Sequence, residues 1–538
     1  MLGIPATSIL LSGIVVVAFL VRVWGLTFGL PFVHARPDEL LIVATVLGFF
    51  TTTLNPRFFD YPALYLYIVF GLFVLYYAWG RVVGWFTSAA HFAGGTHGRW
   101  PMFYFIARGA SAVFGTLTVL WVYRIGLALF NSTIGLIAAL FLSLTFLHVR
   151  DSHYGTTDVA MTFFVMWTML ALVRLHQDRR LKHAVWAGLF AGLAMGTKYN
   201  AALLAFPMGV VELFHVWTRR SDRWAVLRGT YLPLMLVVMG VTFLATSPYL
   251  LLDYQKALQD FRLLRESMSV GMTPPELLGP GWIYHFRFSL VHGMGLSLLA
   301  ASLLGIFLLG WWNPRIALLL GSFPVAYYVV AGSSANVFVR YMIPMLPFLC
   351  LFAAVFVEAT SRVAAAATGL RYGVVATVFA AALIAPSAWS VIQFDAILAQ
   401  DDSRVVAADW VMKNVPFGSS VYTTGNMYGH PPLEDRINPK YRLIGYDYRV
   451  DKFIERTRPF AGLPDWIIVQ RSALPYSHIP QRVLDMLPSA YALVHVVRAA
   501  DLDAPGNVYD IQDAFYMPYG GFTGVRRPGP NLEIYRRR

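Results

Sequence analysis

The sequence predicts a polytopic α-helical membrane protein with about eleven transmembrane helices, followed by a small C-terminal α/β domain. Of its 538 residues 57% are hydrophobic and only 13% are charged, whereas about a quarter of the residues in soluble domains are charged. Apolar runs of about 20 residues, long enough to cross a bilayer, recur from Thr7 to about Phe394. From Asp401 onward the charged residues, prolines and glycines return to the density of a soluble domain.

The first apolar run, Thr7–Trp24, predicts an uncleaved span, because it has no basic n-region and is long for a signal peptide. Eleven further apolar segments have the composition of spans. They are Ala63–Phe86, Met102–Phe130, Thr133–Val149, Val159–Leu175, His183–Gly196, Tyr199–Trp217, Thr230–Leu250, Gly293–Trp312, Ile316–Ala331, Val337–Val357 and Tyr372–Ile392.

Two dense basic loops, Arg174–Lys182 and Arg219–Arg228, predict the orientation, since positively charged loops stay in the cytoplasm. Counting back from them, Asp38 lies on the same outer side as the loop Arg150–Asp158 only if Ala63–Phe86 does not cross. We therefore expect that segment to dip into the outer leaflet or to lie along it, with the N-terminus inside and the C-terminal domain outside. In the alternative, the segment crosses and one basic loop breaks the rule.

The net charge of +13 does not indicate nucleic-acid binding, because many basic residues occupy short loops where orientation explains them. The single cysteine, Cys350, lies in an apolar run, which excludes a disulfide framework and a metal-thiolate site. No internal repeat of fixed period is present, and this weakens a transporter built from inverted repeats.

We predict a transmembrane module at 1–398 and an extracytoplasmic α/β domain at 399–538. In the latter, Asp402 can cap a helix over Ser403–Asn414. A second helical pattern covers Gln481–Leu487. Short β-rich runs predict strands at Ser420–Thr424, Tyr441–Tyr446, Trp466–Gln470, Ala492–Val497 and Leu532–Tyr535.

Candidate catalytic residues begin with Asp38 and Glu39, directly after the first span. Adjacent carboxylates there are costly unless something uses them, and a carboxylate can take the proton of an attacking hydroxyl or amine. The alternatives are a solvated loop charge or a helix N-terminal acid after Pro37. Further along, Asp60 could position an acceptor or help to hold a metal, and Tyr61 beside it is a candidate substrate-binding residue. Alternatively, Asp60 caps a helix that begins at Pro62.

The loop between His148 and Asp158 is dense in titratable groups. Asp158 is a candidate catalytic acid, with a helix N-cap as the alternative. His153 is a candidate substrate or metal ligand, with a hydrogen-bonded loop histidine as the alternative. Farther along, the helical pattern Gln255–Met268, which precedes Pro274-Pro275, could be a mobile cover over a site or a helix resting at the membrane interface.

Three cations near span ends, Arg108, Lys198 and Arg340, suit a phosphate at the membrane surface, where arginine offers a fork and lysine a point charge. Snorkelling to the interface is the alternative for each. No spacing of His, Asp or Glu requires a metal, so a divalent metal stays open and no other cofactor is indicated.

These stretches together resemble the GT-C superfamily of glycosyltransferases. The resemblance is greatest to the dolichyl-phosphate-mannose protein mannosyltransferases and to bacterial relatives such as the aminoarabinose transferase of lipid A. It covers about Thr7 to Val357 and depends on the order of these stretches: Pro37-Asp38-Glu39, Phe58–Pro62, Ala107–Ala112 with Gly115–Leu120, the loop that bears Asp158, Gly192–Lys198 and Arg340–Pro347.

The resemblance implies an inverting transfer of a sugar from a polyprenyl-phosphate donor to a glycan, lipid or protein acceptor at the outer face of the cytoplasmic membrane. It implies that Asp38 is the general base and Asp158 the acid of the second external loop, and that Arg108 and Lys198 suit phosphate binding. Tyr61 stands where the aminoarabinose enzyme has lysine, so a charged contact to phosphate is not expected there. One rival function is a lipid-sugar flippase or transporter. Another is a receptor, whose function would not depend on Asp38.

Overall fold

The computed structural model describes residues 6–94, 100–218, 229–270, 278–433 and 440–538. The predicted basic loop Arg219–Arg228, the linker around His97 and Pro274-Pro275 lie outside these residues. The described residues group into two compact units. One holds residues 6–23, 42–94 and the described part of Ile106–Ile392, and the other holds Trp24–Leu41, 100–105 and the described part of Gln393–Arg538.

The first unit is helical. Its helices, including three that the unit boundaries divide, are Ala6–Val23, Pro37–Gly48, Leu64–Val82, Ala89–Ala93, Trp100–Leu129, Ser132–Ser143, Phe146–Ser152, Thr157–Asp178, Leu181–Thr197, Ala205–Thr218, Leu232–Thr246, Tyr249–Leu252, Tyr254–Val270, Gly281–Tyr284, Val291–Met294, Leu296–Trp312, Pro314–Gly332, Leu346–Thr368 and Tyr372–Leu398. Two 3₁₀ segments, Tyr199–Leu204 and Val339–Met345, and a π-helical turn, His285–Leu290, join some of them.

Within the described residues eight helices are long and apolar enough to cross a membrane, or up to ten if each of two bent pairs is one span. The chain is therefore a multi-pass membrane protein. Two predicted spans, His183–Gly196 and Thr230–Leu250, are helices of only 17 and 15 residues. Leu64–Val82 has the length and composition of a span, and its predicted position in the outer leaflet stays a prediction.

One predicted span, Thr133–Val149, is wrong as a single helix, because it is broken near Leu144 with a bend of 59°. The broken backbone is satisfied from two directions. The hydroxyl of Ser387 donates to the carbonyl of Leu144 (2.9 Å) and accepts from the N–H of Phe146 (2.8 Å). The guanidinium of Arg22 donates to the last carbonyls of the first half, as the apolar phase demands of exposed backbone groups.

The second unit contains a seven-stranded mixed sheet of order β4-β3-β2-β1-β5-β7-β6. Its strands are β1 Ser420–Thr423, β2 Arg442–Asp447, β3 Lys452–Glu455, β4 Arg458–Pro459, β5 Trp466–Arg471, β6 Tyr491–Val497 and β7 Asn531–Arg537. The central strand β1 pairs in parallel with β2 and β5, and the other pairings are antiparallel. Helices Ser403–Asn414 and Gln481–Ala490 pack on the sheet through two apolar clusters.

The predicted α/β composition of this unit is confirmed, including Asp402 as the cap of Ser403–Asn414 through its bond from the N–H of Arg404 (2.9 Å). The sequence reasoning missed β3 and β4, which are short and lie at one edge of the sheet. The predicted division at residue 398 stays a prediction.

Close packing in the first unit gives a stability prediction. A Cβ at Gly305, in the helix Leu296–Trp312, would lie 1.9 Å from the carbonyl oxygen of Phe352 in the helix Leu346–Thr368. Gly305→Ala should therefore destabilise the protein by about 1–3 kcal/mol, the usual cost of overpacking, and lower its melting temperature in detergent. Gly310→Ala, on the same helix with nothing within 4 Å of its Cβ, is the matched control and should not. Equal melting temperatures for the two variants would contradict the packing.

Candidate functional site

The strongest polar contact among the predicted residues joins Lys198 to Asp158. The ammonium of Lys198 lies 2.5 Å from Oδ1 of Asp158, and both side chains are almost fully buried. Lys198 has extended backbone between the helix Leu181–Thr197 and the 3₁₀ segment Tyr199–Leu204, so its side chain leaves the helical path. Asp158 lies in the first turn of its helix, whose N-cap is Thr156, so the interpretation of Asp158 as the cap is wrong.

The ammonium of Lys198 also lies 5.0 Å from the ring centroid of Tyr341, in cation–π contact. Tyr341 follows Arg340 in the second 3₁₀ segment, Val339–Met345. The guanidinium of Arg340 is nearly buried and lies 4.4 Å from the ring centroid of Phe338. Lys198 thus meets two residues that lie 40 and 143 positions away in the chain, Asp158 and Tyr341. That Lys198, Arg340 and Arg108 serve one site stays a prediction.

The loop before Asp158 is buried throughout. Within it the guanidinium of Arg150 pairs with the carboxylate of Asp151 at 2.9 Å. Nδ1 of His153 lies 3.0 Å from the carbonyl oxygen of Val149. In the part of the chain that the structure describes, no group of three or more His, Cys, Asp or Glu residues could hold a metal ion. The substrate role of His153 stays a prediction.

Arg108 is buried on a helix turn that packs closely on this loop. A Cβ at Gly155 would lie 2.9 Å from Cβ of Ala107 and 3.4 Å from the backbone nitrogen of Arg108. The hydroxyl of Ser111, one turn on, reaches the carbonyl of Thr156 at 3.4 Å. The small residues of this stretch therefore let the helix of Arg108 approach the loop that leads to Asp158.

Tyr199, which follows Lys198 in the chain, connects the segment around Asp60 to the region of the Lys198–Asp158 pair. The hydroxyl of Tyr199 donates to the carbonyl of Phe59 (3.0 Å), and the N–H of Phe59 donates to Oδ2 of Asp260 (3.0 Å). Asp260 also pairs with Lys256 on the helix Tyr254–Val270, whose predicted helical pattern is confirmed. The predicted roles of this helix, as a mobile cover or as a helix at the membrane interface, stay open.

One interpretation of the segment Phe58–Pro62 is settled by local structure. The interpretation of Asp60 as a cap before Pro62 is wrong, because the next helix begins at Leu64 with Ala63 as its N-cap. The ring of Tyr61 packs against that of Phe58, with centroids 5.7 Å apart. Their predicted roles in binding the substrate stay predictions.

Asp38 and Glu39 lie in the first turn of the helix Pro37–Gly48, as the alternative interpretation of a helix N-terminal acid predicts. They belong to the second unit. Arg36, the residue directly before this helix, is buried and forms an ion pair with the buried Asp513. Partial burial raises the pKa of the Tyr428 hydroxyl, and the negative charges of Asp38 and Asp513 raise it further. Since Asp38 and Asp158 belong to different units, their predicted meeting in one pocket stays a prediction.

Sequence reasoning missed Tyr341, Asp513 and Tyr428 as neighbours of these residues. Tyr341 stood beside a residue that had been singled out, so its position next to Arg340 was a usable signal. Asp513 lies in the stretch Asp510-Ile511-Gln512-Asp513, where two acids flank an amide in an aromatic-rich segment. That pattern gave a weaker signal, because it lies about 475 residues from Arg36.

The environment of Asp60 gives a pH-dependent stability prediction. Surrounding protein atoms displace water from the Asp60 carboxyl and raise its pKa above the usual 3.8. The negative charge of Asp260 raises this pKa further, and the positive charge of Lys256 partly offsets the rise. The folded protein therefore holds the Asp60 proton more tightly than the unfolded chain, and stability is lost as the pH rises through the raised pKa. Asp60→Asn should raise the melting temperature at pH 7.

The gain in melting temperature should shrink as the pH falls below about 4, where Asp60 is protonated in both states. Thermal unfolding in detergent between pH 3.5 and 8 measures it. Asp401→Asn, which removes an exposed carboxylate, corrects for the loss of one negative charge. A gain that is the same at every pH would contradict the prediction.

Residues 104–249, which carry Arg108, Asp158 and Lys198, match the family model described as dolichyl-phosphate-mannose-protein mannosyltransferase. The structure of ArnT from Cupriavidus metallidurans bound to undecaprenyl phosphate is 15% identical over 91% of this chain and 96% of that chain, with a TM-score of 0.52. No curated protein sequence matches.

The apo structure of the same ArnT is 15% identical over 98% of this chain and 97% of that chain, with a TM-score of 0.51. At this identity the structural likeness shows the fold. The predicted resemblance to GT-C proteins and the predicted fold class are confirmed. Together, the family-model match and the GT-C fold support a glycosyltransferase as the class of enzyme to which this chain is similar.

Proposed function

We propose that the protein is an inverting glycosyltransferase that moves a sugar from a polyprenyl-phosphate donor to an acceptor at the outer face of the cytoplasmic membrane. The observation that carries the proposal is that two short segments of the first unit, each next to or bearing a cation, also line an apolar cavity. The segments Tyr199–Leu204 and Val339–Met345 each follow or contain a cation, Lys198 or Arg340, and each also lines the cavity, through Leu203 and Met345.

The cavity has a volume of about 930 Å³, at the upper end of the roughly 300–1,000 Å³ of small-molecule sites. Its lining is almost entirely apolar and includes Phe206, Leu299, Leu303 and Leu349. An apolar chain that ends in a phosphate suits such an arrangement, with the chain in the cavity and the phosphate near the cations. The ArnT structure bound to undecaprenyl phosphate is in keeping with this class of donor.

The proposed reaction is one displacement at the anomeric carbon. The acceptor oxygen forms a bond to that carbon, the bond from the carbon to the phosphate oxygen breaks, and polyprenyl phosphate leaves with the electron pair. A single displacement inverts the configuration. Since phosphate is already a good leaving group, the site must supply orientation and positive charge more than an acid.

Lys198 is already neutralised by Asp158, so the net positive charge for the departing phosphate falls to Arg340 and Arg108. Both guanidinium groups are buried, where their interaction with an anion is stronger than in water. Asp158 would hold Lys198 in position. A divalent metal is not required by this arrangement and stays open.

Asp38 is proposed as the base that takes the acceptor proton. If so, Asp38→Asn should lower sugar transfer by about 10²- to 10⁴-fold, the usual contribution of a general base, because the amide cannot accept the proton. The assay supplies purified protein with undecaprenyl-phosphate-linked sugars and membrane extract as the source of acceptors, and identifies products by mass spectrometry.

Glu39→Gln tests the adjacent acid in the same assay, and Asp401→Asn is the control for an exposed acid. Undiminished transfer by Asp38→Asn would exclude Asp38 as the base. Movement of labelled lipid-linked sugar across proteoliposomes without any covalent product would instead support a flippase.

Donor binding gives an independent prediction. The double variant Asp158→Asn with Lys198→Met removes the ion pair without leaving one charge buried alone, which is the costly outcome. It should weaken binding of undecaprenyl phosphate by about tenfold or more, the value of one hydrogen bond to a charged group. Titration calorimetry in detergent measures the affinity. The control is Lys182→Met, which removes an exposed lysine from the start of the helix Leu181–Thr197. Unchanged affinity in the double variant would place the phosphate elsewhere.

A further inference from the structure

A buried polar turn of the second unit, residues 510–513, is not used by the proposed chemistry. The carboxylate of Asp510 accepts from the N–H of Gln512 at 3.1 Å, and the carbonyl of Gln512 accepts from the hydroxyl of Tyr476 at 3.0 Å. Asp510, Gln512 and Asp513 are each at most 6% exposed. A buried turn with this many polar groups needs partners for all of them.

The side chain of Gln512 lacks such partners. It is 2% exposed, and neither Oε1 nor Nε2 of its amide has a hydrogen-bond partner among the described residues. An amide that is removed from water without a partner destabilises the folded state. Such a group in a native structure calls for an explanation, and a bound polar ligand is one.

The turn is connected to Asp38. Asp513 pairs with Arg36, two residues before Asp38 in the chain. Tyr428 interacts electrostatically with both Asp38 and Asp513, and Tyr476 interacts with Asp510, Asp513 and Tyr428. The acid proposed as the base and the unsatisfied amide therefore belong to one connected polar cluster of the second unit.

The chemistry of this cluster selects among ligands. A second guanidinium, that of Arg404, donates to the carbonyl of Tyr428 and is paired with Asp402. The carboxylates of Asp38, Asp402, Asp510 and Asp513 outnumber the guanidinium groups of Arg36 and Arg404, so an anionic ligand would be repelled. Carboxylates accept hydrogen bonds from hydroxyls, an amide both donates and accepts, and tyrosines can do either. The ring of Tyr428, edge-on to His34 with centroids 6.4 Å apart, adds an aromatic surface. A neutral compound rich in hydroxyls suits this set.

We propose that the turn 510–513 and Tyr428 form a subsite for a neutral sugar unit of the acceptor, next to Asp38. The proposal depends on the proposed function for the word acceptor, and it deepens that function by naming a glycan. The C-terminal unit thus supplies Gln512 as a residue that determines acceptor specificity. The donor phosphate has no role in this subsite.

The test measures binding of neutral glycans to the full chain in detergent. The probes are methyl glycosides of mannose, galactose, glucose and arabinose and their disaccharides, and saturation-transfer NMR followed by titration gives the affinities. Gln512→Leu keeps the volume and removes the amide. It should weaken glycan binding by about tenfold or more, the loss expected for one or two hydrogen bonds, and leave the affinity for undecaprenyl phosphate unchanged.

Gln481→Leu, on the exposed face of the helix Gln481–Ala490, is the matched control and should bind as the wild type does. Tyr428→Phe removes only a hydroxyl and provides a second variant should Gln512→Leu fail to fold. It should also weaken glycan binding.

Each of the following results would overturn the subsite. They are the absence of glycan binding by the wild type, equal binding by Gln512→Leu and Gln481→Leu, and displacement of the glycan by undecaprenyl phosphate. A serine- or threonine-bearing peptide that binds in place of every glycan would also overturn it. Loss of glycan binding in Gln512→Leu, in a protein that transfers no sugar from any donor, would keep the subsite and reject the transferase.

Discussion

The buried ion pair between Lys198 and Asp158 is the interaction on which the candidate site depends. A charge in an apolar environment is tolerated only with a partner, and breaking such a pair by removing one member typically costs about 3–5 kcal/mol. The pair therefore fixes the relative position of two helices at their ends: the start of Thr157–Asp178 and the end of Leu181–Thr197. The 3₁₀ segment that follows Lys198 and the aromatic ring of Tyr341 are held with it.

The same constraint explains Arg22 at the end of the first helix. Its guanidinium is fully buried and donates to the carbonyls of Leu142 and Ser143 and to Nδ1 of His148 (2.9 Å). A broken helix exposes carbonyl oxygens that need donors, and a buried guanidinium needs acceptors. The hydrogen bonds between them therefore satisfy both groups. Gly115 makes room for this, because a Cβ there would lie 2.9 Å from Nε of Arg22.

Much of this architecture could be predicted from the sequence, because the length of the apolar runs and the polar residues between them are local signals. The cap at Asp402, the helix Ser403–Asn414 and the major strands follow from neighbouring residues alone. The cations Lys198 and Arg340 could be singled out because a charge near the end of an apolar run is unusual in itself. The contact of Lys198 with Tyr341, which follows Arg340 in the chain, could be expected only as one of several arrangements.

What could not be predicted depends on contacts distant in the chain. The break near Leu144 is stabilised by Ser387, more than 240 residues away, and nothing in the broken segment itself forbids a continuous helix. Asp513 and Arg36 are separated by 477 positions, so neither stretch predicts the other. The helix alternatives for Asp60 and Asp158 failed for a smaller reason: each true boundary lies two or three residues away, at Ala63 and Thr156.

The neutrality of the Lys198–Asp158 pair bears on how a donor site could work in a membrane. An unpaired buried ammonium would be costly in the empty state, and would also hold a phosphate product strongly. Paired with Asp158, Lys198 can offer a hydrogen bond to a phosphate while adding little net charge, and it keeps a partner when the phosphate leaves. Under the proposed function, discrimination between donor and product would fall to groups that sense net charge, Arg340 and Arg108, because the apolar cavity would hold the same chain in both. A site so arranged would bind the lipid by its chain and let the phosphate exchange.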